Sequence, residues 1–139
     1  MTTKTPYSPG YEPAAPVLPI RVSAPAGGAG VGLVALVDTG ADLSVIPQSA
    51  AEALALPVVS TTRVQGVTGI AQSTRVHAAA IEVAGTTHFV ELVGLGDEAI
   101  LGRDLMNLFV LKLDGPRGLL EISGPPPTTG QRRRLGRVH

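Results

Sequence analysis

The run LVALVDTGADLSVIP at residues 33–47 constrains the fold of this chain more than any other stretch. Five apolar residues lead directly into Asp38-Thr39-Gly40, and a second apolar run, LSVI, follows closely. A short unbroken run of Val, Leu and Ala specifies a strand apolar on both faces. Such a strand delivers a carboxylate, Asp38, to the end of a buried segment, where desolvation opposes its charge. Asp38 is therefore either a capping residue at a turn or a group whose position is made useful by something facing it.

The rest of the chain narrows the choice. Its 139 residues suit one domain with a modest core. There is no Trp, and there are only two Phe and two Tyr, so Val, Leu, Ile and Ala must fill that core. The 17 Gly and 12 Pro argue for many turns and against a helical bundle. With no Cys, disulfides and thiolate metal sites are excluded. His77, His88 and His139 are scattered without ligand spacing, so neither a metal nor any other cofactor is expected. His77 and His88 fall in strand-like segments and read as surface or satisfied core residues. Formal charge is zero, but Arg132, Arg133, Arg134 and Arg137 sit in the last eight residues. The remaining body is mildly acidic and offers no nucleic-acid-binding face. No basic region followed by an apolar run marks the N-terminus, so no signal peptide is expected. The apolar run at 31–37 is far too short to cross a membrane. The expectation is a cytoplasmic protein that engages neither nucleic acid nor membrane.

Residues 1–15, rich in Pro, Thr and Ser, read as a flexible arm, and residues 125–139 as a disordered basic tail. The folded body is then 16–124. Within it VLPIRVSA and VGLVALV form a hairpin across the turn PAGGAG. PQSAAEALAL is a short helix with Pro47 at a first-turn position, stopped at Pro57. STTRVQGVTGIAQSTRV makes two strands around a glycine-bearing tip. VHAAAIEVAGTTHFVELVGL makes a further hairpin turning at Ala84-Gly85, with a bulge expected near 79–81 where the alternation slips. EAILGRDLMNLF is a brief strand, a glycine and a helix, with Asp104 near the helix start. VLKLD, a turn and LLEIS close the body. The sum is an all-β fold with two short helices.

An Asp-Thr-Gly triplet alone is no more than a turn signal. Here it lies between two apolar strands, and a second element, Ile100-Leu101-Gly102, follows about sixty residues on and leads into a helix. On LVDTGADLSVIP at 36–47, AILGRDLMNLF at 99–109 and the closing strands VLKLDGPRGLLEI, the chain resembles the retropepsins, the single-lobe aspartic proteases of retroviruses and their cellular and bacterial relatives. The resemblance covers residues 16–123. It implies a single-lobe acid-protease β-barrel or sandwich with a flap hairpin. It also implies an aspartic endopeptidase that acts as a homodimer on polypeptide in extended conformation.

The chemistry explains the residue types. This route to peptide hydrolysis needs one carboxylate to deprotonate a water and one carboxylic acid to polarise the carbonyl. Two carboxyls in close contact cannot both ionise, so they share a proton and titrate as a unit; aspartic proteases are the standard illustration of that effect. The chain has one Asp-Thr-Gly, and Asp42, Asp97, Asp104 and Asp114 lack its context. The second carboxylate must come from a second copy of Asp38, which a two-fold axis brings face to face with the first. The resemblance further implies that Thr39 bonds across the axis and that Gly40 donates its N–H to the carboxylate. It has Gly102 pack closely beside the loop and Arg103 brace Asp42. The tip Gln65-Gly66-Val67-Thr68-Gly69-Ile70 is then the flap that clamps substrate. A simple turn, a pair of solvated charges and an ordinary hairpin end are the structural alternatives to these roles. For the whole chain the alternative is a non-catalytic dimerisation or peptide-binding module of the same fold.

One departure carries a prediction. Pepsin-type relatives often place Ser or Thr where this chain has Ala41, and a hydroxyl there would donate to the carboxylate and favour its charged form. Ala41 cannot, so the activity optimum is expected at weakly acidic pH relative to hydroxyl-bearing relatives. In a pH–rate comparison, Ala41→Ser should move the acid limb downward; no shift, or an upward one, refutes the role.

Overall fold

The computed structural model describes residues 2–65 and 69–124, and among them ten strands and two short helices. The strands are β1 (Thr2–Pro6), β2 (Val17–Ser23), β3 (Val31–Val37), β4 (Val45–Ile46), β5 (Val58–Gln65), β6 (Ala71–Val83), β7 (Thr86–Gly94), β8 (Ile100–Leu101), β9 (Val110–Asp114) and β10 (Leu119–Ser123). Helix α1 spans Gln48–Ala53 and α2 spans Arg103–Met106.

Seven strands run in the order β2-β3-β8-β4-β7-β6-β5. Because β2 also pairs with β6, the first six close into a ring, and β5 hangs outside it. Closure leaves few open edges to protect. The 13 residues of β6 make this possible. One of its edges pairs with β7 from Arg75 to Val83. Its other edge is divided: Ala71–His77 takes β5, and Ala80–Val83 takes β2. The two hairpins expected separately are therefore joined by one continuous strand.

The core inside the ring is aliphatic, as the composition demands. Leu18, Ile20 and Val22 of β2 meet Ile81 and Val83 of β6, Leu92 of β7, Leu101, and Leu105 and Met106 of α2. In β2 the period-two pattern is clean: Pro19 and Arg21 are exposed between buried neighbours. β3 departs from the expected burial on both faces. Val34 is 63% exposed, and only Ala35 and Val37, near the end where β8 pairs, are buried. Helix α1 begins just after Pro47 and buries Ala50 and Ala51.

Three expectations are corrected. No bulge interrupts 79–81: the registers with β7 and with β2 run through without a shift. The alternation slips in the sequence because Ala80 is small and flanked by strands on both sides, opposite Phe89 and Ser23, so it is covered on the outward face as well. The register shift in β6 lies instead between Val58 and Ser60 of its partner β5. Asp104 was read only as a helix-start charge, and its larger role appears below.

The third correction concerns the N-terminus. Thr2–Pro6 is a strand, not part of a mobile arm, and it pairs with β10 from Thr2↔Ser123 to Pro6↔Leu119. The domain therefore starts at Thr2 rather than at 16. The sequence signal failed because the segment has little apolar area, while pairing to a strand edge draws on backbone hydrogen bonds and tolerates threonine well. β10 supplies the edge and the anchor: Leu120 and Ile122 are fully buried, and its other side pairs with β9. On the outward face Glu121 lies between Lys4, at 4.0 Å, and Lys112, at 3.5 Å. Tyr7 N–H then bonds Gly118 O at 2.8 Å, and Ser8 bridges to Ala15. The expected basic tail at 125–139 lies outside the described residues.

Deleting residues 2–6 strips one edge from β10. The expected result is a loss of roughly 1–3 kcal/mol in unfolding free energy, the net of ladder bonds against chain entropy. Chemical denaturation measures it, and a merely mobile arm would give no change.

Candidate active site

The two motifs, about sixty residues apart in sequence, lie side by side. β3 and β8 pair in parallel, Leu36 opposite Ile100 and Val37 opposite Leu101. Leu36 N–H bonds Ala99 O at 2.9 Å, and Asp38 N–H bonds Leu101 O at 3.0 Å. The ladder thus ends at Asp38, and the chain turns away: Ala41 N–H bonds Asp38 O at 3.2 Å. Gly40 donates its N–H to Asp38 Oδ1 at 2.9 Å, an Asx-type bond that fixes the carboxylate. Asp38 is half-buried, less than the sequence suggested, and Thr39 and Gly40 are exposed.

Gly102 is the point of closest approach between the motifs. A Cβ there would stand 2.7 Å from Leu43 O, 2.8 Å from the Leu43 carbonyl carbon and 3.0 Å from Ala41 O. No side chain fits against that backbone. Arg103 then reaches over the loop. Its N–H bonds Ala41 O at 2.9 Å, Nη1 donates to Thr39 O at 2.7 Å, and Nη2 pairs with Asp42 Oδ1. The Asp42–Arg103 pair expected from sequence is therefore present, with Arg103 also holding the backbone at Thr39. Both side chains are well exposed, so the ion pair itself contributes only about 0–1 kcal/mol, and its effect is geometric.

Sequence reasoning missed a deeper brace. Ser44 is buried, and its hydroxyl donates to Asp104 Oδ1 at 2.7 Å while accepting Gly102 N–H at 2.9 Å. Ser44 N–H donates to Asp104 Oδ2 at 3.0 Å. Asp104 Oδ1 also accepts Leu105 N–H at 2.9 Å at the start of α2. The signal was one polar residue inside the apolar run LSVI, which demands a partner when buried.

The loop opens on a cleft of about 770 Å³. Asp38 lies among its lining residues, with Val45, Val64, Val93, Leu95 and Ile100 as apolar walls and Asp42, Arg63, Asp97 and Glu98 as charged ones. The β5–β6 hairpin supplies Arg63, Val64 and Gln65 to that wall. At its tip Gln65 Nε2 donates to Gly69 O at 2.8 Å, Gly69 has φ +79°, and Ile70 is 73% exposed. Gly66, Val67 and Thr68 lie outside the described residues. His77 sits apart as a satisfied core residue, buried with Nδ1 3.2 Å from Leu56 O. His88 stacks edge-on against Phe109, their ring centres 5.3 Å apart. Among the described residues no group of three or more His, Cys, Asp or Glu is placed to hold a metal, and no helix is long and apolar enough to cross a membrane.

A second unforeseen contact comes from the supposed arm. Tyr11 Oη donates to Glu98 Oε1 at 2.5 Å, tying the N-terminal segment to the cleft wall. That hydrogen bond to the carboxylate raises the Tyr11 pKa above the ordinary phenol value, with smaller contributions from desolvation and from the Glu98 charge. A raised folded pKa favours the folded form below the unfolded value and ceases to do so as pH rises through the folded one. The contact is therefore intact across the neutral range and is lost only in strong alkali. Ultraviolet titration should show one phenol ionising late and the late component vanishing in Tyr11→Phe.

Ser44→Ala should cost about 1–3 kcal/mol in denaturant unfolding, because it leaves the buried Gly102 N–H without its acceptor and takes from Asp104 Oδ1 one of its two donors. Ser44→Thr, which keeps the hydroxyl, should recover most of the loss.

No match to curated proteins was found. Two solved structures show the same fold. The retropepsin-like aspartic protease of Rickettsia conorii aligns with a TM-score of 0.60 at 17% identity, over 88% of this chain and 89% of its own. The EIAV protease, solved with the inhibitor HBY-793, aligns with a TM-score of 0.55 at 24% identity, over 67% of this chain and 86% of its own. Residues 28–107, more than half of the chain and inclusive of Asp38-Thr39-Gly40 and Ile100-Leu101-Gly102, match the family described as "gag-polyprotein putative aspartyl protease". The closed β-ring, the paired loops and this match agree, and the chain belongs to the gag-polyprotein aspartyl protease family, with a retropepsin-like fold.

Proposed function

We propose that the protein is an aspartic endopeptidase, active as a homodimer in which each copy contributes one Asp38. The observation that carries this reading is the half-buried Asp38 at the cleft, its Oδ1 held by Gly40 N–H, in a chain with a single Asp-Thr-Gly. One chain supplies a single carboxylate of this kind, and a second copy supplies its match.

With two copies of Asp38 in contact, one proton is shared. The ionised carboxylate takes a proton from water, and the resulting nucleophile attacks the scissile carbonyl carbon. The protonated partner donates to the carbonyl oxygen as charge develops there. As the tetrahedral intermediate collapses and the C–N bond breaks, the first carboxyl gives the water-derived proton to the leaving nitrogen and the partner takes back its own from the hydroxyl, so the pair again shares one proton. Thr39 is exposed, with its carbonyl tied to Arg103, and in this reading its hydroxyl bonds across the axis. Gly102 and Ser44 act at one remove, as positioning residues. The substrate is polypeptide in extended form, clamped by the β5–β6 hairpin and flanked by the apolar walls Val45, Val93 and Ile100.

Asp38→Asn should abolish peptide cleavage, by at least about a thousandfold, without loss of fold. Equal cleavage by wild type and variant refutes the mechanism, and cleavage by neither favours a non-catalytic peptide-binding module. Co-refolding equal amounts of both chains should leave about a quarter of the dimers active, because a mixed pair lacks one carboxylate. Retention of half the activity would mean that each copy works alone.

A further inference from the structure

Four carboxylates of the chain are answered by its own groups. Asp42 pairs with Arg103, Asp114 with Arg117, and Glu121 lies between Lys4 and Lys112. Asp104 accepts the Ser44 hydroxyl and two backbone N–H groups. Asp97 and Glu98 are in a different position. Both are exposed, and both line the cleft that holds Asp38. Among the described residues no cation stands within ion-pair distance of either. Arg63, on the hairpin side of the same cleft, is the one basic residue among those that line it. A groove with aliphatic walls is thus left with more negative than positive charge.

Glu98 is also held in place. Tyr11 Oη donates to its Oε1 at 2.5 Å. A neutral phenol fixes one oxygen and leaves the charge whole, with Oε2 free to accept. Tyr11 itself is well anchored. It rides on a short loop whose neck is closed by Ser8 and Ala15, each N–H bonding the other's carbonyl, at 2.8 and 3.2 Å. Pro16, just beyond the neck, accepts Val37 N–H at 3.0 Å, one residue before Asp38. From the other side the wall is pinned by Gln48 N–H on Gly96 O at 3.1 Å and by Ala99 O on Leu36 N–H at 2.9 Å. The carboxylates of Glu98 and Asp38 are therefore fixed against the same pair of strands, β3 and β8. Tyr11 lies outside residues 28–107, the stretch that matches the family, so this tie is a contribution of the N-terminal segment of this chain.

We infer that Glu98, steadied by Tyr11, is a specificity-determining residue that selects polypeptides carrying an arginine or lysine side chain near the cut. This rests on the protease reading above and names the substrate class for the same cleft. The match is one of shape as well as charge. A basic side chain has an aliphatic stem and a cationic head. Val93, Leu95 and Ile100 offer the stem an apolar wall, and Glu98 offers the head an anion. Asp97 adds to the field that draws a cation in and turns an acidic side chain away. Asp38 N–H bonds Leu101 O, so Glu98 stands three residues back from the level of Asp38. That is about 10 Å along a strand, a length that an extended substrate also covers in about three residues. The basic residue therefore falls within about three positions of the scissile bond.

The test uses the full chain and two pools of synthetic random peptides, alike except that arginine and lysine in one are citrulline and acetyl-lysine in the other. The charged pool should be cleaved about two- to tenfold faster, with basic residues enriched at one position relative to the cut. The ratio should fall as salt rises. Glu98→Gln should bring it close to one, and Glu98→Lys should push it below one. Glu91→Gln, exposed on β7 and outside the cleft lining, should keep the wild-type ratio. Tyr11→Phe should about halve the preference and have no further effect on it in the Glu98→Gln background, which a merely structural role does not give. A wild-type ratio of one, or a ratio untouched by Glu98→Gln, overturns the inference and leaves an aspartic protease standing. An effect of Tyr11→Phe of equal size in both backgrounds overturns the part assigned to Tyr11. Affinity of Asp38→Asn for the two pools reads the same ratio without turnover, and equal affinity overturns the selectivity. Cleavage that survives Asp38→Asn removes the protease reading, and this inference falls with it.

Discussion

The site depends on a backbone-to-backbone contact that only glycine allows. Where β8 ends, Gly102 comes so close to the carbonyls of Leu43 and Ala41 that no Cβ can intervene. That approach lets three further interactions form around it: the ladder from β3 to β8, the Ser44–Asp104 brace and the Arg103 clasp. Each is modest. In concert they hold Asp38 at the end of a strand whose neighbours are all specified, which is the preorganisation that the proposed general base would require. A wider gap would lengthen every one of these bonds together.

Energetically the loop divides into a wet half and a dry half. The Asp42–Arg103 pair is solvated and adds little free energy, so its worth lies in direction. The Ser44–Asp104 pair joins a buried hydroxyl and three backbone N–H groups, where an unmet partner is costly. Stability therefore resides in the dry half and orientation in the wet one.

What could be read from the chain follows the physics of each signal. Unbroken aliphatic runs announced β3 and β8 as strands, though not the exposure of Val34, because apolar side chains mark a strand more directly than they mark which of its faces is covered. Asp38 was legible from its place at the end of an apolar run, whereas Gly40, Gly102 and the Asp42–Arg103 pair were legible only through the family resemblance; the structure adds the reason at Gly102, where no side chain fits. Three things were hidden. Thr2–Pro6 forms a strand through backbone bonds that leave no mark in composition. Tyr11 and Glu98 meet across 87 positions with no intervening pattern. Ala80 disguised the register of β6 because a methyl group tolerates either face. Each was decided by a partner distant in the chain, and a local window contains no information about it.

The divided edge of β6 has a mechanical meaning. From Ala80 onward the strand is a stave of the closed ring, gripped by β2 and β7. Before Arg75 it carries only β5, and among the described residues β5 has no other neighbour in the sheet. On that side the last residue that β7 grips is Arg75, so the ring ends there. Bending of β6 short of Arg75 unzips no pairing that closes the ring, so the shape of the ring does not depend on where the outer part of the hairpin stands.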